Sequence, residues 1–532
     1  MLQAAHPAHR VAEFEAAGLW RDETLAGWME RWVREFPQRR ALVSASGVLS
    51  YSELWNAAAN LAGGLRRLGL KPGEVVAVQL PNCAEFVISY LAIGFCGAVM
   101  QTLHMPYRSG EIRPLLNHSR AAMAIVPARI KEYAAAEVLI GLRDNVPALR
   151  KIIAVGPEVA GADSFSDLLK ERDGADRSVR AVSHEPFLLL YTSGTTSAPK
   201  GVPVTYRPFL ANARLSAAEL ELAHESILLS AAPFTHLYGL FSLNLALAVG
   251  AATALLPMFS PPDLAEALDK LRPTSFFGAP AHIAGAFAAN LLDASLVTSL
   301  RFAMLSGSNC PARLAQQLQN LMPGGKVLQL WGMSEMQAGA FTRPGDPLAD
   351  RLSTVGRASP GTSLRVVDPQ GVACAAGVEG ELQAKGSSVF VGYHDNAAAT
   401  AEAFTADGWF RTGDIAAMDS RQNIRVLGRL KELINRGGVK FNPADVGCVL
   451  DQHAAVRQSA VVPMPDPVLG ERACCFAVLQ AGSSFTLDTM KQWLQEHGVS
   501  KTKWPERLEI IEEMPLTATR KIIRAELIKR LT

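Results

Sequence analysis

The sequence has little net charge and no excess of glycine or proline, and each of these absences excludes a class of protein. Its 52 Lys and Arg residues against 50 Asp and Glu residues leave a formal charge of +2, whereas nucleic-acid-binding proteins need a strong basic excess or stripe. The 42 glycines and 31 prolines among 532 residues exclude collagen-like and low-complexity chains. Hydrophobic residues make up 49% of the chain and charged residues 19%, which excludes global disorder and provides for large cores.

Cysteines are also few, and their spacing excludes a zinc site. The seven cysteines form no C-x-x-C pair and no Cys/His cluster with the spacing of a zinc site. We therefore expect reduced, buried cysteines in a cytoplasmic protein. The beginning of the sequence lacks a basic start followed by an apolar stretch, so we expect no secretory signal.

One long stretch lacks charge and resembles a membrane span at first sight. No formally charged residue lies between Glu225 and Asp263, and the apolar run inside this stretch is long enough to cross a bilayer. However, Gly250 and Pro257 interrupt it. We predict a buried helix that ends at Gly250, followed by a buried strand over residues 252–256, and no transmembrane segment.

Helix and strand patterns alternate in the first part of the chain. Ser52 is predicted to cap a helix that Gly69 ends. The continuous apolar run 75–80 that follows is typical of a buried parallel strand. A second helix is predicted over residues 85–100 and another buried strand over residues 122–127. This alternation predicts doubly wound α/β layers.

The pattern changes towards the end of the chain and predicts two smaller units. Short strands separated by Gly and Asp turns predict a small β-rich lobe over about residues 362–429. From residue 430 onward, helix and strand patterns alternate again. We therefore predict a large N-terminal domain over residues 1–429 and a small α+β C-terminal domain over residues 430–532.

The most informative motif is the run LLLYTSGTTSAPKGVPV at residues 188–204. An apolar strand leads into a hydroxyl-rich loop, and Lys200 follows the loop. Hydroxyls and free N–H groups around a glycine, with a lysine nearby, can surround a polyphosphate. A Walker A loop is excluded because Pro199 precedes the lysine and a strand pattern follows it. A flexible Ser/Thr-rich turn is the alternative interpretation.

Further candidate residues follow predicted strands or turns elsewhere in the chain. His236 begins the charge-free helix, and Trp331 and Glu335 follow a predicted strand, which is where ligands bind in open α/β sheets. Trp331 offers a face for stacking a base, and Glu335 offers oxygen ligands for Mg²⁺. Asp414 on a glycine turn is suited to accept hydrogen bonds from ribose hydroxyls. Lys521 lies where a mobile domain could deliver it.

Taken together and in this order, these motifs resemble those of the adenylate-forming (AMP-binding) superfamily, which includes acyl- and aryl-CoA synthetases, adenylation domains and beetle luciferases. The resemblance extends from about residue 24 to residue 531. It implies that ATP and a carboxylate give an acyl-adenylate and pyrophosphate, and that a thiol, usually that of coenzyme A, then displaces AMP. It also implies that residues 1–429 are the adenylation core and that the C-terminal domain rotates about residues 430–431 between the two steps.

The resemblance further implies a set of site residues. The implied ATP- and AMP-binding residues are Thr192, Ser193, Gly194, Thr195, Thr196, Lys200, Ser308, Asn309, Trp331, Ser334, Asp414 and Arg429. The implied acyl-pocket residues are His236, Tyr238, Gly278, Ser306, Gly332 and Met333. The implied hinge and coenzyme A path comprise Lys431, Arg436, Gly437 and Gly438, and the implied catalytic residues are Lys521, His236 and Glu335.

Individual roles follow from the same resemblance. The loop 192–200 would hold the β- and γ-phosphates, and Trp331 would stack on adenine with the segment 308–310 on its other side. Ser334 would contact the α-phosphate and Glu335 would bind Mg²⁺. Asp414 and Arg429 would bind the ribose hydroxyls, and Lys521 would bridge the carboxylate and the α-phosphate. A cation is needed there because a carboxylate and a phosphate repel each other.

Two positions depart from the family pattern. Ser197 stands in the phosphate loop where glycine is commoner, and Arg520 stands where glycine usually precedes the lysine. Serine is tolerated unless the backbone needs a positive φ at that position. Because of these departures, a degenerate nucleotide-binding module without ligase activity is kept as an alternative function.

The nature of the acid is predicted from the residues that the resemblance places in the pocket. They are mostly apolar or aromatic, and none is an aspartate that could pair with an ammonium group, so amino acids are disfavoured. The run 499–517 resembles the ending of cyclohexanecarboxylate and aryl-acid CoA ligases, whereas the runs 192–205 and 428–441 resemble those of oxalyl-CoA synthetases. We predict an aromatic, alicyclic or medium-chain monocarboxylic acid, with ATP, Mg²⁺ and coenzyme A as the other participants. A carrier-protein thiol as acceptor and a homodimer both stay open.

Overall fold

The computed structural model describes residues 5–170, 179–192, 200–436, 439–517 and 521–531. The strands are β1 (Arg40–Ser44), β2 (Gly47–Ser50), β3 (Val75–Val78), β4 (Val99–Thr102), β5 (Met123–Pro127), β6 (Lys151–Val155), β7 (Asp163–Ser164), β8 (Pro186–Thr192), β9 (Lys200–Thr205), β10 (Ile227–Ser230), β11 (Ala252–Ala254), β12 (Ser275–Gly278), β13 (Phe302–Leu305), β14 (Lys326–Met333), β15 (Gln337–Phe341), β16 (Arg357–Ala358), β17 (Thr362–Val367), β18 (Glu379–Gly386), β19 (Phe410–Met418), β20 (Ile424–Arg429), β21 (Ile434–Arg436), β22 (Val439–Phe441), β23 (Val456–Asp466), β24 (Gly470–Leu479) and β25 (Arg507–Ile510).

Helices connect most of these strands. The α-helices are α1 (Ala8–Ala16), α2 (Leu25–Glu35), α3 (Tyr51–Arg67), α4 (Ala84–Phe95), α5 (Ser109–Ser119), α6 (Ala135–Gly141), α7 (Phe165–Lys170), α8 (Tyr206–Glu219), α9 (Leu237–Val249), α10 (Pro261–Leu271), α11 (Pro280–Ala288), α12 (Ala312–Leu321), α13 (Leu348–Ser353), α14 (Ala397–Ala403), α15 (Pro443–Leu450), α16 (Leu487–Glu496) and α17 (Arg524–Lys529). Short 3₁₀ helices lie at Arg143–Asn145, Leu430–Glu432 and Lys501–Lys503.

Two sheets built mainly of parallel strands form the large N-terminal part. Among the described residues, one has the order β16-β15-β14-β13-β12-β10-β11-β1-β2 and the other has the order β7-β6-β5-β3-β4-β8-β9. The largest hydrophobic cluster lies between the sheets and includes residues of α2, α3, α4, α8 and α9. Helices α10 to α12 cover the outer face of the first sheet, and α5 and α6 cover that of the second. The predicted doubly wound α/β layers are therefore confirmed.

The charge-free stretch forms the buried helix and strand that the sequence predicts. Helix α9 is apolar on all sides and ends at Gly250, which has a φ of 68°, a conformation that favours glycine. Strand β11 follows and pairs in parallel with β10 and β1. Within the ranges that the structure describes, no helix is long and apolar enough to cross a membrane.

Two of the predicted boundaries in the first part of the chain are wrong. Ser50, not Ser52, caps α3: its Oγ accepts the backbone N–H of Glu53 at 3.2 Å, and the Glu53 carboxylate accepts the N–H of Ser50 at 2.8 Å. This reciprocal pair satisfies two otherwise unpaired N–H groups. The helix predicted over 85–100 ends at Phe95, because Gly97 turns the chain into strand β4 with a φ of 66°.

Two smaller sheets complete the molecule. Strands β17 to β20 form an antiparallel sheet in sequence order, which is the predicted small β lobe. The C-terminal part has the order β22-β21-β24-β23, with β25 paired to β24. Helices α15 and α16 pack on one face of this sheet and α17 packs on the other, so the predicted α+β composition is confirmed. The division at residues 429 and 430 stays a prediction.

Asn442 of the C-terminal part contacts the β lobe. Asn442 caps α15 by accepting the N–H of Ala444 at 3.0 Å, and its side-chain amide donates to the carbonyl of Leu427 in β20. A Cβ atom at Gly428 would lie 2.6 Å from the Asn442 amide. The glycine therefore permits this close approach beside the predicted hinge.

Candidate active site

An ion pair between the last two strands of the β lobe forms the centre of the candidate site. Asp414 in β19 and Arg429 in β20 are direct cross-strand neighbours. The Arg429 Nε lies 2.7 Å from Oδ1 of Asp414, and Nη1 of Arg429 donates to the carbonyl of Thr412 at 3.2 Å. The arginine is half-exposed, whereas the aspartate is buried. The Arg429 end of the pair is therefore accessible to a ligand, whereas the Asp414 end is fixed in the sheet.

Trp331 joins this pair from the large domain. Its indole N–H donates to Oδ2 of Asp414 at 2.7 Å. Its ring lies against Gly339, where a Cβ atom would be 2.5 Å from Cζ3. Burial raises the pKa of the Asp414 carboxyl, while Arg429, the Trp331 N–H and Lys521 oppose that increase. The carboxylate thus has a hydrogen-bonded partner on each oxygen.

The turn between β14 and β15 places Ser334 and Glu335. Gly332 is required there, because a Cβ atom would lie 2.0 Å from the carbonyl oxygen of Gln337. Glu335 is buried, and its Oε1 accepts a hydrogen bond from the hydroxyl of Tyr393 at 2.9 Å. Burial raises the pKa of Glu335, and the Tyr393 hydrogen bond, Arg429 and Lys200 counteract it. A buried carboxylate with cations nearby is a suitable ligand for a hard cation.

Lys200 lies at the end of the predicted phosphate loop. Strands β8 and β9, which the sequence predicts on either side of the loop, form a hairpin in which Lys200 pairs with Thr192; the phosphate-binding role of the loop stays a prediction. The Lys200 Nζ lies 5.0 Å from the centroid of the Tyr393 ring, within the range of a cation–π contact. Residues 193–199 lie outside the described ranges, so the roles of Ser193, Gly194, Thr195 and Thr196 stay predictions.

Lys521 approaches the same crevice from the C-terminal part. Its backbone N–H donates to Oγ1 of Thr517 at 3.0 Å, and its carbonyl accepts the N–H of Thr517 at 2.7 Å. Burial lowers the pKa of Lys521, and Arg429 lowers it further, whereas Asp414, Glu432 and Glu335 raise it. These mutual effects show that the amine lies in one electrostatic cluster with the carboxylates of the large domain.

His236 lies at the start of α9 as its N-cap residue. Its Nδ1 accepts the backbone N–H of Tyr238 at 3.2 Å, so the ring caps the helix. Burial, Lys521 and His104 all lower the pKa of His236. The ring centroids of His236 and His104 are 6.0 Å apart, and Nδ1 of His104 lies 3.1 Å from Oγ1 of Thr235. The imidazoles of His236 and His104 are therefore neutral and lie next to each other, near the ammonium group of Lys521.

The remaining predicted pocket residues lie at the ends of adjacent strands. Gly278 ends β12, and its carbonyl accepts the N–H of Ser306 just beyond β13 at 3.0 Å. Tyr238 is buried, and its hydroxyl donates to the carbonyl of Met304 at 2.7 Å. Tyr238 thus holds its helix against the sheet with its hydroxyl already engaged. Met333 ends β14 and is partly buried.

Other predicted residues have neighbours outside this crevice. Ser308 and Asn309 are exposed, and Nδ2 of Asn309 donates to Sγ of Cys448 in α15 at 3.2 Å. Arg436 forms an ion pair with Glu506 inside the C-terminal part. Gly437 and Gly438 lie outside the described residues, as does the side chain of Lys431. The adenine contact of Asn309 and the coenzyme A path therefore stay predictions.

Sequence reasoning missed His104, Tyr393 and Glu432. His104 follows β4 and Tyr393 follows the β lobe strand β18 by several residues, so each is far in sequence from the residue it contacts. Glu432 lies in the predicted hinge, pairs with Arg524 at 3.0 Å and acts on the pKa of Lys521. Of these three residues, only His104 could have been found from the sequence, because it lies just past an apolar strand.

A magnesium site is compatible with the residues present. Among the described residues, no group of three or more His, Cys, Asp or Glu side chains could hold a metal ion by itself. Mg²⁺ is commonly bound by one or two carboxylates together with phosphate oxygens and water. Glu335 is a buried carboxylate beside the phosphate-loop lysine, so it fits that kind of site.

Comparison with known proteins agrees with the fold and identifies the family. The model of the AMP-binding enzyme family matches residues 29–394, and the model of the AMP-binding enzyme C-terminal domain matches residues 445–521. The chain belongs to the AMP-binding enzyme family. The chain is an acid–thiol ligase of the class that first forms an adenylate.

Individual relatives cover nearly the whole chain. It is 31% identical to a medium-chain fatty-acid–CoA ligase of Escherichia coli, over 98% of this chain and 94% of the relative. It is 31% identical to a 2-hydroxy-7-methoxy-5-methyl-1-naphthoate–CoA ligase of Streptomyces carzinostaticus, over 97% and 94%. The crystal structure of an anthranilate CoA ligase with anthranoyl-AMP is similar with a TM-score of 0.87 at 24% identity, over 97% and 98%; this last likeness supports the fold.

Proposed function

We propose that this protein is an ATP-dependent carboxylate–CoA ligase for an aromatic, alicyclic or medium-chain monocarboxylic acid, and that it acts in the cytoplasm. The observation that carries the proposal is the contact of Asp414 with both Trp331 and Arg429, beside which Lys521 lies close enough to lower the pKa of Asp414. Joining a carboxylate to a phosphate requires a cation that lies beside both the nucleotide site and the apolar acid pocket.

Lys521 has the central role in the first step. The substrate carboxylate oxygen attacks the α-phosphorus of ATP, the bond from that phosphorus to the bridging oxygen of the β-phosphate breaks, and pyrophosphate leaves. Lys521 offsets the repulsion between the two anions. A lysine is suited to this because its compact charge can follow the negative charge as it moves. The buried position beside Asp414 and Glu335 keeps the amine in place.

The nucleotide would be held by residues of the large N-terminal domain, including its β lobe. Asp414 and Arg429 would bind the ribose hydroxyls, and Trp331 would line the adenine site. Ser334 would contact the α-phosphate, and Lys200 the outer phosphates. Glu335 would hold Mg²⁺, which when bound neutralises phosphate charge. The hydrogen bond from Tyr393 orients the Glu335 carboxylate for that task.

The acid would lie between α9 and the ends of β12 and β13. His236, Gly278, Ser306 and Met333 carry no formal charge when the imidazole is neutral, and burial keeps it neutral. An uncharged acyl group is favoured there, because a second carboxylate or an ammonium group would be buried without a partner. The names of the medium-chain and naphthoate relatives agree with such an acid.

The second step requires a thiol at the acyl carbon. The thiol sulfur attacks the carbonyl carbon and its proton passes to water, the bond from that carbon to the AMP oxygen breaks, and AMP leaves. The C-terminal domain would turn about Leu430 and Lys431 so that Lys521 leaves the site and the Arg436 segment approaches it. The contacts of Asn442 with Leu427 and of Asn309 with Cys448 would then change.

An acid panel tests this proposal directly. ATP–pyrophosphate exchange is measured with benzoate, cyclohexanecarboxylate, octanoate, oxalate and an amino acid, and the thioester is identified by mass with coenzyme A or a carrier protein as acceptor. We expect exchange with one of the first three acids and an acyl-CoA product. Exchange with oxalate alone would favour an oxalyl-CoA synthetase, and a carrier-bound product alone would favour carrier loading. No exchange with any acid would favour a nucleotide-binding module without ligase activity.

A further inference from the structure

An ion pair that the proposed function does not use joins the predicted hinge to the segment that carries Lys521. Nη1 of Arg524 lies 3.0 Å from Oε2 of Glu432. Glu432 ends the 3₁₀ helix that directly follows β20, and Arg524 is the first residue of α17. The Arg524 side chain is 30% exposed and that of Glu432 is 35% exposed. Because both are partly shielded from water, the pair is screened less than a pair on the open surface.

Each partner of this pair lies three positions after a residue of the candidate site. Arg429 precedes Glu432 by three residues, and Lys521 precedes Arg524 by three residues. Arg429 is itself fixed, because its Nε lies 2.7 Å from Oδ1 of Asp414. A segment of three residues spans at most about 10 Å. The ion pair therefore limits how far Lys521 can lie from Arg429 and Asp414.

Hydrogen bonds give the Lys521 segment its shape. The N–H of Thr517 donates to the carbonyl of Lys521 at 2.7 Å, and the N–H of Ile523 donates to the carbonyl of Pro515 at 2.8 Å. These bonds join the segment to itself, so they do not set its position relative to β20. Helix α17 follows directly and packs on the C-terminal sheet. The start of that helix is tied to the predicted hinge by Arg524.

Glu432 also acts on the charges of the site. Burial lowers the pKa of Lys521, whereas the Glu432 carboxylate raises it. Burial raises the pKa of Asp414, and the Glu432 carboxylate adds to that increase. Without a partner of its own, this carboxylate would draw the Lys521 ammonium out of the site. The guanidinium of Arg524 supplies that partner, so the ammonium stays available for the substrate anions.

We propose that Arg524 is a positioning residue for the first step, and that its ion pair with Glu432 holds the Lys521 ammonium in the site for adenylate formation. The inference rests on the proposed ligase function, in which Lys521 acts in the first step only. The pair lies on the C-terminal side of the predicted pivot at residues 430–431, so it would turn with the domain and carry Lys521 away. Arg524 therefore matters for the first step and not for the second.

The two half-reactions, measured separately on the full-length protein, test this inference. In Arg524→Gln we expect kcat for ATP–pyrophosphate exchange to fall by about tenfold while the KM for ATP stays constant, because a displaced lysine slows the reaction without removing a nucleotide contact. Thioester formation from a pre-made acyl-adenylate should stay near the wild-type rate. Arg524→Lys keeps the charge and should recover most of the exchange rate.

A double variant separates the ion pair from independent effects. Glu432→Gln alone should lower exchange by a similar factor, and Glu432→Gln combined with Arg524→Gln should be no slower than Arg524→Gln, whereas independent effects would multiply to about a hundredfold. Arg507→Gln, which breaks the partly exposed pair with Glu509 in the C-terminal part, is the matched control and should change little. Multiplied losses, an unchanged exchange rate in Arg524→Gln or an equal loss in both half-reactions would overturn the inference.

Labelling with acetic anhydride gives a readout that does not depend on activity. Burial should protect the amine of Lys521 relative to that of the exposed Lys71. Loss of the ion pair should raise acetylation of Lys521 by at least about threefold in Arg524→Gln and not in Arg507→Gln. Equal acetylation in the two variants would overturn the inference. If no acid supports exchange in the wild type, the ligase function fails, and this labelling still decides whether Arg524 positions Lys521.

Discussion

The indole N–H of Trp331 donates to Oδ2 of Asp414 at 2.7 Å, which ties the expected adenine-binding residue to the expected ribose-binding residue. The other carboxylate oxygen binds Arg429. Because both oxygens are held, the carboxylate has one fixed orientation before any nucleotide arrives. Such preorganisation lowers the entropy cost of binding.

Replacing Asp414 should therefore weaken nucleotide binding. Asp414→Asn removes the charge that pairs with Arg429, and we expect the KM for ATP in the exchange reaction to rise by about ten- to a hundredfold, as for a lost charge-assisted hydrogen bond. The matched control is Asp407→Asn, which breaks the exposed pair with Arg365 in the same lobe and should change little. An unchanged KM for ATP in Asp414→Asn would contradict the assigned role.

Lys521→Ala should separate the two half-reactions. We expect adenylation to fall by about a hundred- to a thousandfold, because a group that stabilises transition-state charge is lost. Conversion of a pre-made acyl-adenylate to the thioester should continue at a near-normal rate. Lys71→Ala, which removes an exposed lysine, is the control. An equal loss in both half-reactions would show that Lys521 supports the fold instead.

Glu335→Gln should lower activity and raise stability at neutral pH. Burial raises the pKa of Glu335 in the folded protein above its unfolded value, so its ionised form costs stability as the pH rises through the folded pKa. Glutamine removes that cost and can still accept the Tyr393 hydroxyl. We expect a higher melting temperature at pH 7.5, a difference that shrinks as the pH falls, and adenylation reduced by about a hundredfold or more.

Tyr393→Phe provides the matched test of the same carboxylate. Loss of the hydrogen bond should raise the pKa of Glu335 further, because that bond favours the ionised form. The acid limb of the pH profile for adenylation should therefore move to higher pH. A profile that stays in place, or a glutamine variant less stable than the wild type at pH 7.5, would contradict the electrostatic description of this site.

His104→Ala should affect the acid and not the nucleotide. The change removes the contact with His236 and the hydrogen bond with Thr235, so we expect the KM for the acid to rise by about tenfold while the KM for ATP stays constant. Thr235→Val should reproduce part of the effect. The exposed His224→Ala is the control. A parallel rise in both KM values would show a general loss of structure.

A disulfide between the domains should stop the second step only. Asn309 and Cys448 are in contact across the predicted domain boundary, with Nδ2 and Sγ 3.2 Å apart. Oxidised Asn309→Cys should keep the adenylation rate of its own reduced form and lose thioester formation by at least about tenfold, with recovery on reduction, if the C-terminal domain must move. Asn309→Cys combined with Cys448→Ser is the control. Full thioester formation by the oxidised protein would contradict the proposed rotation.

Much of the fold was predictable because local patterns were strong. The apolar run of β3 and the all-apolar α9 predicted buried elements, and Gly250 predicted the end of that helix. One error occurred where two nearby residues of the same type compete. Ser50 and Ser52 are both serines, and only the position of Glu53 relative to Ser50 completes the capping pair.

The site was only partly predictable for a different reason. Its motifs were recognisable one by one, yet the contact of Trp331 with Asp414 and that of Tyr393 with Glu335 join residues 83 and 58 positions apart. No local pattern encodes such pairs. The same holds for His104 beside His236, since two strands of different sheets bring them together.

By itself, the sequence determined the class of fold, the order of its parts and the kinds of chemical group available, because these follow from hydrophobic periodicity, glycine turns and short motifs along the chain. Tertiary structure alone decided which groups lie close together and which of them have their pKa shifted by burial. Burial and proximity depend on packing between distant segments, and these set the pKa values of Glu335, His236 and Lys521.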